Sequence, residues 1–170
     1  MISFDEALSL VKDTSKAAHV VVVSRIMREL ALRIGENRQE WELVGLLHDL
    51  DYDETKTERN RHGVIASNRL KGRLPEHCLH AIRAHDYRTG VAPRSRLDKA
   101  LIAVDSATLL MDRVGLRFAG PSVETLRRTL EGLVDQPWLR RNILEIENLG
   151  LNLDEFLQLC LGCLKEAQAT

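Results

Sequence analysis

The sequence is poor in aromatic residues: only 4% of its 170 residues are Phe, Tyr or Trp. A hydrophobic core must therefore come mainly from Leu, Val, Ile and Ala. Neither charge sign dominates, since 24 Lys and Arg stand against 25 Asp and Glu, and the pI is about 6.6. This balance gives no indication of general binding to nucleic-acid polymers or to membrane surfaces.

Long apolar runs and cysteines are also scarce. The longest apolar run is far too short to span a bilayer, and the first residues, MISFDEALSLVKD, carry acids where a signal peptide needs a basic start. We therefore expect a cytoplasmic protein. Cys78, Cys160 and Cys163 lack the nearby partners of a zinc site, so we expect buried thiols and no disulfide.

Helical periodicity is what the sequence has in abundance. The length suits a single domain. Caps and apolar spacing predict a helix that begins near Phe4 and further helices over about 15–34, 37–48, 61–71, 75–84, 95–111, 122–134, 137–149 and 152–167. The β-branched residues 20–23 are typical of a strand, but helical spacing continues to Ile34 and favours a buried helix.

These patterns predict an all-α helical bundle of about eight to nine helices, with no sheet. We expect one domain over residues 1–170, with a core at about 15–115 and C-terminal helices over 122–167 packed on it. The polar stretches 51–61 and 86–94 are predicted to be the two substantial loops.

Five predicted helices turn a side chain that can bind metal towards an apolar face. These side chains are His19, His48 with the adjacent Asp49, His62, His85 and Asp105. A lone histidine on such a face is usually a core residue. An aspartate inside LIAVDSATLL is harder to explain, because a buried carboxylate is unfavourable unless it is paired or binds a metal.

Lys and Arg fall mostly on other faces, so a divalent cation would satisfy these side chains together. Imidazole with carboxylate suits Fe, Mn, Co, Ni or Zn better than Ca. His77 and His80 provide a comparison, because they lie on the opposite side of their helix from His85. We expect both to be exposed to solvent.

The order of His19, the pair His48-Asp49 and Asp105 resembles the motif of the HD superfamily of metal-dependent phosphohydrolases. The segments LLHDLDYDE, HGVIASNRL, AIRAHDYRTGV and LDKALIAVDSATLL are similar to small stand-alone bacterial HD proteins. The similarity covers about residues 15–115.

The resemblance implies an α-helical core in which these four residues coordinate one metal ion. Some members add two histidines, which bind a second ion bridged by the HD aspartate. His62 and His85 occupy those places, so the resemblance implies one or two ions per chain, with Mg among the candidates.

The sequence departs from some branches of the family. Phosphodiesterase and alarmone-hydrolase members often carry Lys or Glu where this chain has Tyr52, followed by Asp53. The Gly-Tyr-Pro signature of cyclic-di-GMP phosphodiesterases is replaced by DYRTGV, so that activity is not expected. Asp51 or Asp53 could stand in for a catalytic glutamate, and a solvated acidic loop is the alternative.

The expected activity is hydrolysis of a phosphomonoester or phosphodiester, such as a nucleotide, by metal-activated water positioned by Asp49. Cations on or beside the two loops make a small phosphorylated substrate plausible: Lys56, Arg59, Arg61, Arg88, Arg94, Arg96 and Lys99. Among them, Lys56, Arg88 and Lys99 are the predicted substrate contacts. We expect no nucleic-acid polymer or membrane as partner, and a homodimer stays open.

Two other hypotheses remain. Some HD-fold proteins use a His-rich di-iron site to activate oxygen, and their ligands overlap this set completely. The chain could also be a binding module that keeps a metal for stability alone, although the intact ligand set argues against that.

Overall fold

The computed structural model describes residues 1–115 and 122–168, with side chains described up to position 164. These ranges contain nine α-helices and three short 3-10 helices. The α-helices are α1 Phe4–Val11, α2 Ala17–Ile34, α3 Arg38–Leu47, α4 Val64–Arg69, α5 Glu76–Ala84, α6 Arg96–Val114, α7 Val123–Glu131, α8 Pro137–Leu144 and α9 Leu153–Gln168. The 3-10 helices are Arg59–Arg61, Tyr87–Thr89 and Glu145–Leu149.

The all-α prediction is confirmed. In the described residues, β-type pairing is limited to one isolated bridge between Lys71 and Leu74. The β-branched residues 20–23 lie inside α2, where Val20 and Val23 are buried. Among the helices that the structure describes, none has both the length and the apolar character needed to cross a membrane.

Side-chain caps fix the helix starts that the sequence predicts. The Ser3 hydroxyl accepts a hydrogen bond from the Glu6 N–H, and the Glu6 carboxylate accepts one from the Ser3 N–H. The same reciprocal pair joins Ser95 and Asp98 at the start of α6. The Asn37 side chain caps α3. These caps satisfy backbone donors that have no partner inside the helix.

Three of the departures from the predicted helix bounds have a visible local form. α4 begins only after Gly63, whose left-handed backbone (φ +78°) separates it from the 3-10 turn Arg59–Arg61. Pro75 precedes α5 instead of occupying its first turn. The single helix predicted over 137–149 is divided into α8 and the 3-10 helix Glu145–Leu149.

The core is aliphatic, as the scarcity of aromatics requires, and α2 packs along α3 at its centre. Gly45 permits this packing. A Cβ atom at this position would lie 2.8 Å from the Cα atom of Ser24 on α2. The close approach matters for the site, because His48 follows Gly45 by one turn and faces His19 on α2.

Cys78, Cys160 and Cys163 are all buried, as predicted. Burial raises the pKa of Cys78 to about 12 and also raises the pKa of Cys160. Both therefore carry their protons at neutral pH and act as small apolar core residues.

Candidate metal centre

The first group of candidate ligands comes from α2, α6 and the C-terminal end of α3. His19 Nε2 lies 3.0 Å from Asp105 Oδ1, and His48 Nε2 lies 3.7 Å from the same oxygen. Ligand atoms of these three residues lie within 4.8 Å of one another. A cation at bond lengths of about 2.0–2.3 Å would bridge donors with this spacing.

Asp49 follows His48 and divides its two oxygens between two sets of imidazoles. Its Oδ2 atom lies 3.7 Å from His19 Nε2 and 3.6 Å from His48 Nε2. Its Oδ1 atom lies 2.9 Å from His62 Nε2 and 3.7 Å from His85 Nε2. The carboxylate therefore stands between two groups of nitrogen donors, one on each oxygen.

Backbone carbonyls fix the ring orientation of two histidines. His48 Nδ1 lies 2.8 Å from the Gly45 carbonyl oxygen, and His85 Nδ1 lies 2.6 Å from that of Ile82. Because a carbonyl only accepts hydrogen bonds, each Nδ1 carries a proton, which leaves Nε2 of each ring as the nitrogen that could bind a metal ion.

The donor set fits a metal ion. His48 is fully buried, and its Nε2 atom has no hydrogen-bond partner within the described part of the chain. Such a buried unsatisfied nitrogen is unfavourable unless something binds it. A divalent cation would satisfy this atom together with the neighbouring carboxylates and imidazoles.

A buried turn holds His62 in place. Asp51 is 1% exposed, and its carboxylate accepts hydrogen bonds from His62 Nδ1 at 2.8 Å and from the backbone N–H groups of Gly63 and Ala66. A Cβ atom at Gly63 would lie 2.3 Å from the Ile82 carbonyl oxygen. Asp51 and Gly63 together place His62 Nε2 3.2 Å from His85 Nε2.

The site favours the charged forms of both the Asp49 carboxylate and the His62 imidazole. Burial raises the pKa of Asp49, but His48, His62 and His85 outweigh this effect and hold it well below its usual range. Burial lowers the pKa of His62, but the carboxylates of Asp49 and Asp51 outweigh it and raise the pKa to about 9. A cation bound at Nε2 of His62 would replace a proton there.

Three predicted residues do not meet the cluster. Asp53 is exposed, and its carboxylate accepts from the Ser15 N–H and pairs with Lys56 at 2.8 Å. Lys99 Nζ lies 3.7 Å from Glu145 Oε2. These positions lie outside the cavity that opens over the cluster.

The cavity has a volume of about 440 Å³. It is lined by Lys16, Asp49, Tyr52, Arg59, His62, His85, Asp86, Tyr87, Arg88, Asp105, Ser106, Leu109, Trp138 and Asn142. Of the three predicted substrate contacts, only Arg88 is among them, and its guanidinium is bound by the Asp86 carboxylate at 2.8 and 3.0 Å.

Sequence reasoning missed Lys16, Trp138 and Asn142 as lining residues. Lys16 precedes His19 by three residues, so helical spacing could have placed it near the site. Trp138 and Asn142 are four residues apart on α8 and share a face. Nothing local in their sequence indicates that this face meets the cluster.

The two comparison histidines behave differently. The side chain of His77 is 54% exposed, as expected, and pairs with Glu40. His80 is more exposed than His85, at 19% against 3% of the side chain, but it is half-buried instead of solvated, and its Nδ1 atom lies 2.9 Å from the buried Asp98 carboxylate. The packing of α6 against α5 covers it.

A family model described as HD domain matches residues 17–110. The chain belongs to the HD domain family. The matched segment contains all six candidate ligands, from His19 to Asp105, and the buried His/Asp cluster is compatible with a divalent metal ion. Trp138 and Asn142 lie outside the HD match. No curated protein and no solved structure matches this chain.

Proposed function

We propose that this HD protein is a metal-dependent phosphohydrolase that cleaves a phosphomonoester or phosphodiester of a small molecule, such as a nucleotide, with water. The observation that carries the proposal is the position of Asp49, whose two oxygens face different sets of imidazole nitrogens. A carboxylate in this position suits a centre for two divalent ions.

His19, His48, Asp105 and Oδ2 of Asp49 would hold one ion. His62, His85 and Oδ1 of Asp49 would hold the other. Fe, Mn, Co, Ni, Zn and Mg are the candidate ions. A divalent cation held there lowers the pKa of water towards neutrality and draws charge from a phosphoryl oxygen.

The residues of the chain supply orientation and exclude solvent. Asp51 fixes the ring of His62, and the carbonyls of Gly45 and Ile82 fix those of His48 and His85. Buried surroundings keep bulk water from competing with these contacts, which strengthens every electrostatic interaction in the site.

Water is a better candidate nucleophile than the serine of the cavity. Ser106 is the only serine among the described lining residues, it is 2% exposed, and its hydroxyl accepts a hydrogen bond from the Asn142 amide at 3.1 Å. An amide cannot take the serine proton, so this pair lacks the base that an activated serine needs.

The test is metal analysis of the purified protein, followed by a screen of phosphomonoesters, phosphodiesters and nucleotides under strictly anaerobic conditions. We expect close to two divalent ions per chain and, without oxygen, release of phosphate from a monoester or of an alcohol and a monoester from a diester, all lost after chelation and regained on adding Mn²⁺. A fully loaded protein that hydrolyses none of these compounds, or that turns over only with oxygen, would overturn the proposal.

A further inference from the structure

The cavity beside the cluster is lined by cationic and by apolar side chains. Lys16 and Arg59, with the Tyr52 ring, form the first set, and Leu109 and Trp138 form the second. A pocket of about 440 Å³ lies in the range that holds one small organic molecule. These two sets of side chains therefore indicate the chemical class of that molecule.

Two cations of the cavity contact the same aromatic ring, that of Tyr52. Lys16 Nζ and the guanidinium carbon of Arg59 each lie 4.3 Å from the centroid of the Tyr52 ring. The Tyr52 ring in turn contacts the edge of His62 at 5.7 Å between centroids. Cation–π contacts thus hold two positive charges next to the candidate ligands.

These two cations differ from their neighbours in what they bind. Arg59 forms no ion pair among the described residues, and its Nη1 atom is buried without a hydrogen-bond partner. Among the described carboxylates, Lys16 approaches the candidate ligand Asp49, at 3.8 Å. By contrast, the charge of Arg88 is already neutralised by Asp86. Lys16 and Arg59 are therefore the positive charges left to meet an anion.

The apolar lining residues belong to α6 and α8. Leu109 and Trp138 are half-buried and offer an aliphatic and an aromatic surface. Asn142, one turn after Trp138, donates one hydrogen bond to Ser106 and has further donor and acceptor capacity. An aromatic surface beside an amide suits a planar ring with polar edges.

We infer that the substrate is a phosphomonoester whose leaving group ends in a planar heterocycle, as in a nucleoside monophosphate. Lys16 and Arg59 bind the phosphate, and Trp138 and Asn142 bind the ring. This inference rests on the proposed phosphohydrolase function. It adds two binding residues, Trp138 and Asn142, that lie outside the segment matched by the HD family.

Charge and space favour a monoester over a diester. A phosphomonoester carries close to two negative charges at neutral pH, whereas a diester carries one. The two cations Lys16 and Arg59 match the two negative charges of a monoester. Leu109 and Trp138 also offer apolar surface for one organic group, while a diester brings two.

Kinetics of the metal-loaded protein test both halves of the site. The probes are AMP, glycerol phosphate as a monoester without a ring, and bis(4-nitrophenyl) phosphate as a diester. We expect Trp138→Leu to raise KM for AMP about tenfold relative to KM for glycerol phosphate, and Trp138→Phe to restore most of the difference. Lys16→Gln and Arg59→Gln should weaken inhibition by inorganic phosphate about tenfold each.

Matched controls are Lys12→Gln and Arg28→Gln, which remove exposed cations away from the cavity. A second readout needs no turnover. The phosphonate analogue of AMP, in which a methylene group replaces the ester oxygen, should quench the tryptophan fluorescence of the loaded protein. The quenching should disappear in Trp138→Leu, because the other tryptophan, Trp41, is buried in the core.

The outcomes separate the two proposals. Binding and quenching by the phosphonate without hydrolysis of any ester would overturn the phosphohydrolase function and leave the assignment of the pocket standing. Hydrolysis that prefers the diester, or that is the same in the Trp138, Lys16 and Arg59 variants as in the wild type, would overturn the pocket assignment and leave the function standing.

Discussion

The two groups of candidate metal ligands are built in different ways. His19 and Asp105 lie within α2 and α6, and His48 ends α3; these three helices pack against one another through fully buried aliphatic side chains. His62 and His85 stand at helix ends, where one precedes α4 and the other ends α5. Their approach depends on one turn and one buried carboxylate.

This difference predicts how each group of ligands should respond to a nearby substitution. A ligand on a packed helix keeps its place because many apolar contacts hold the backbone. A ligand at a turn keeps its place through a few local contacts, so one substitution nearby can move it. Asp49 belongs to both groups and couples them.

The largest effect is expected from Asp105→Asn. The substitution keeps the size but removes an anionic donor of the first group, so we expect a helical, soluble variant with sharply reduced metal content. Phosphohydrolase activity should fall on the order of 100-fold or more, because removing even an outer partner of a ligand lowers affinity or activity about 10–100-fold. Excess Mn²⁺ should restore part of it by mass action.

The matched control for this variant is Asp112→Asn, which changes an exposed aspartate on the same helix. It should keep full metal content and activity. Full activity of Asp105→Asn at trace metal would remove Asp105 from the site and, with it, the proposed metal chemistry.

His62→Ala and His85→Ala should separate the two groups. Each removes a nitrogen donor that faces Oδ1 of Asp49, while the donors that face Oδ2 remain. We expect metal content to fall from about two ions to about one per chain, measured by elemental analysis. His77→Ala, at an exposed position on α5, is the control. Unchanged metal content in both variants would assign His62 and His85 to the core or to substrate contacts.

Gly63→Ala tests whether the turn holds the second group. Gly63 and Gly72 both have left-handed backbones, with φ +78° and +75°, but an added Cβ is crowded only at Gly63. Both variants should lose about 1–2 kcal/mol of unfolding free energy from the backbone conformation. Gly63→Ala should lose a further ~1–3 kcal/mol from the clash with Ile82, together with one of the two ions.

Urea unfolding and metal analysis of the two alanine variants measure this contrast. Gly72→Ala should keep both ions. Equal losses of stability and equal metal content would mean that the turn relaxes without moving His62.

The sequence predicted the first group better than the second, for a physical reason. Helical spacing alone places His19 and Asp105 on buried faces, because apolar neighbours three and four residues away define those faces. The position of His62 depends on a left-handed glycine and on the Asp51 carboxylate behind the ring. Neither produces a periodic signal.

The positions of charged side chains were the least predictable from the sequence. Lys56 and Lys99 lie near the predicted loops in sequence, but in the structure each side chain reaches the acid nearest to it, Asp53 or Glu145. Those assignments to substrate stay predictions. Trp138 reaches the cavity only because α8 packs on α6, a tertiary contact that its own sequence does not indicate.

The smallest effect is expected at Asp98, which caps the helix that carries Asp105 two turns later. Burial raises the pKa of Asp98, but hydrogen bonds from the Arg94 and Ser95 N–H groups and the Ser95 hydroxyl outweigh it and lower the pKa. A carboxyl with a lowered pKa stabilises the fold fully above its unfolded value, near 3.8. That contribution is lost as the pH falls through the lower folded pKa.

Asp98→Asn should therefore lower the free energy of unfolding by about 1 kcal/mol at pH 7, the usual value of a helix cap. The difference from the wild type should shrink below about pH 4, since both proteins then carry a neutral side chain at position 98. Metal content at pH 7 should not change, because packing rather than the cap holds Asp105 in place. A loss of metal together with stability would show that this packed helix depends on its end as strongly as His62 depends on its turn.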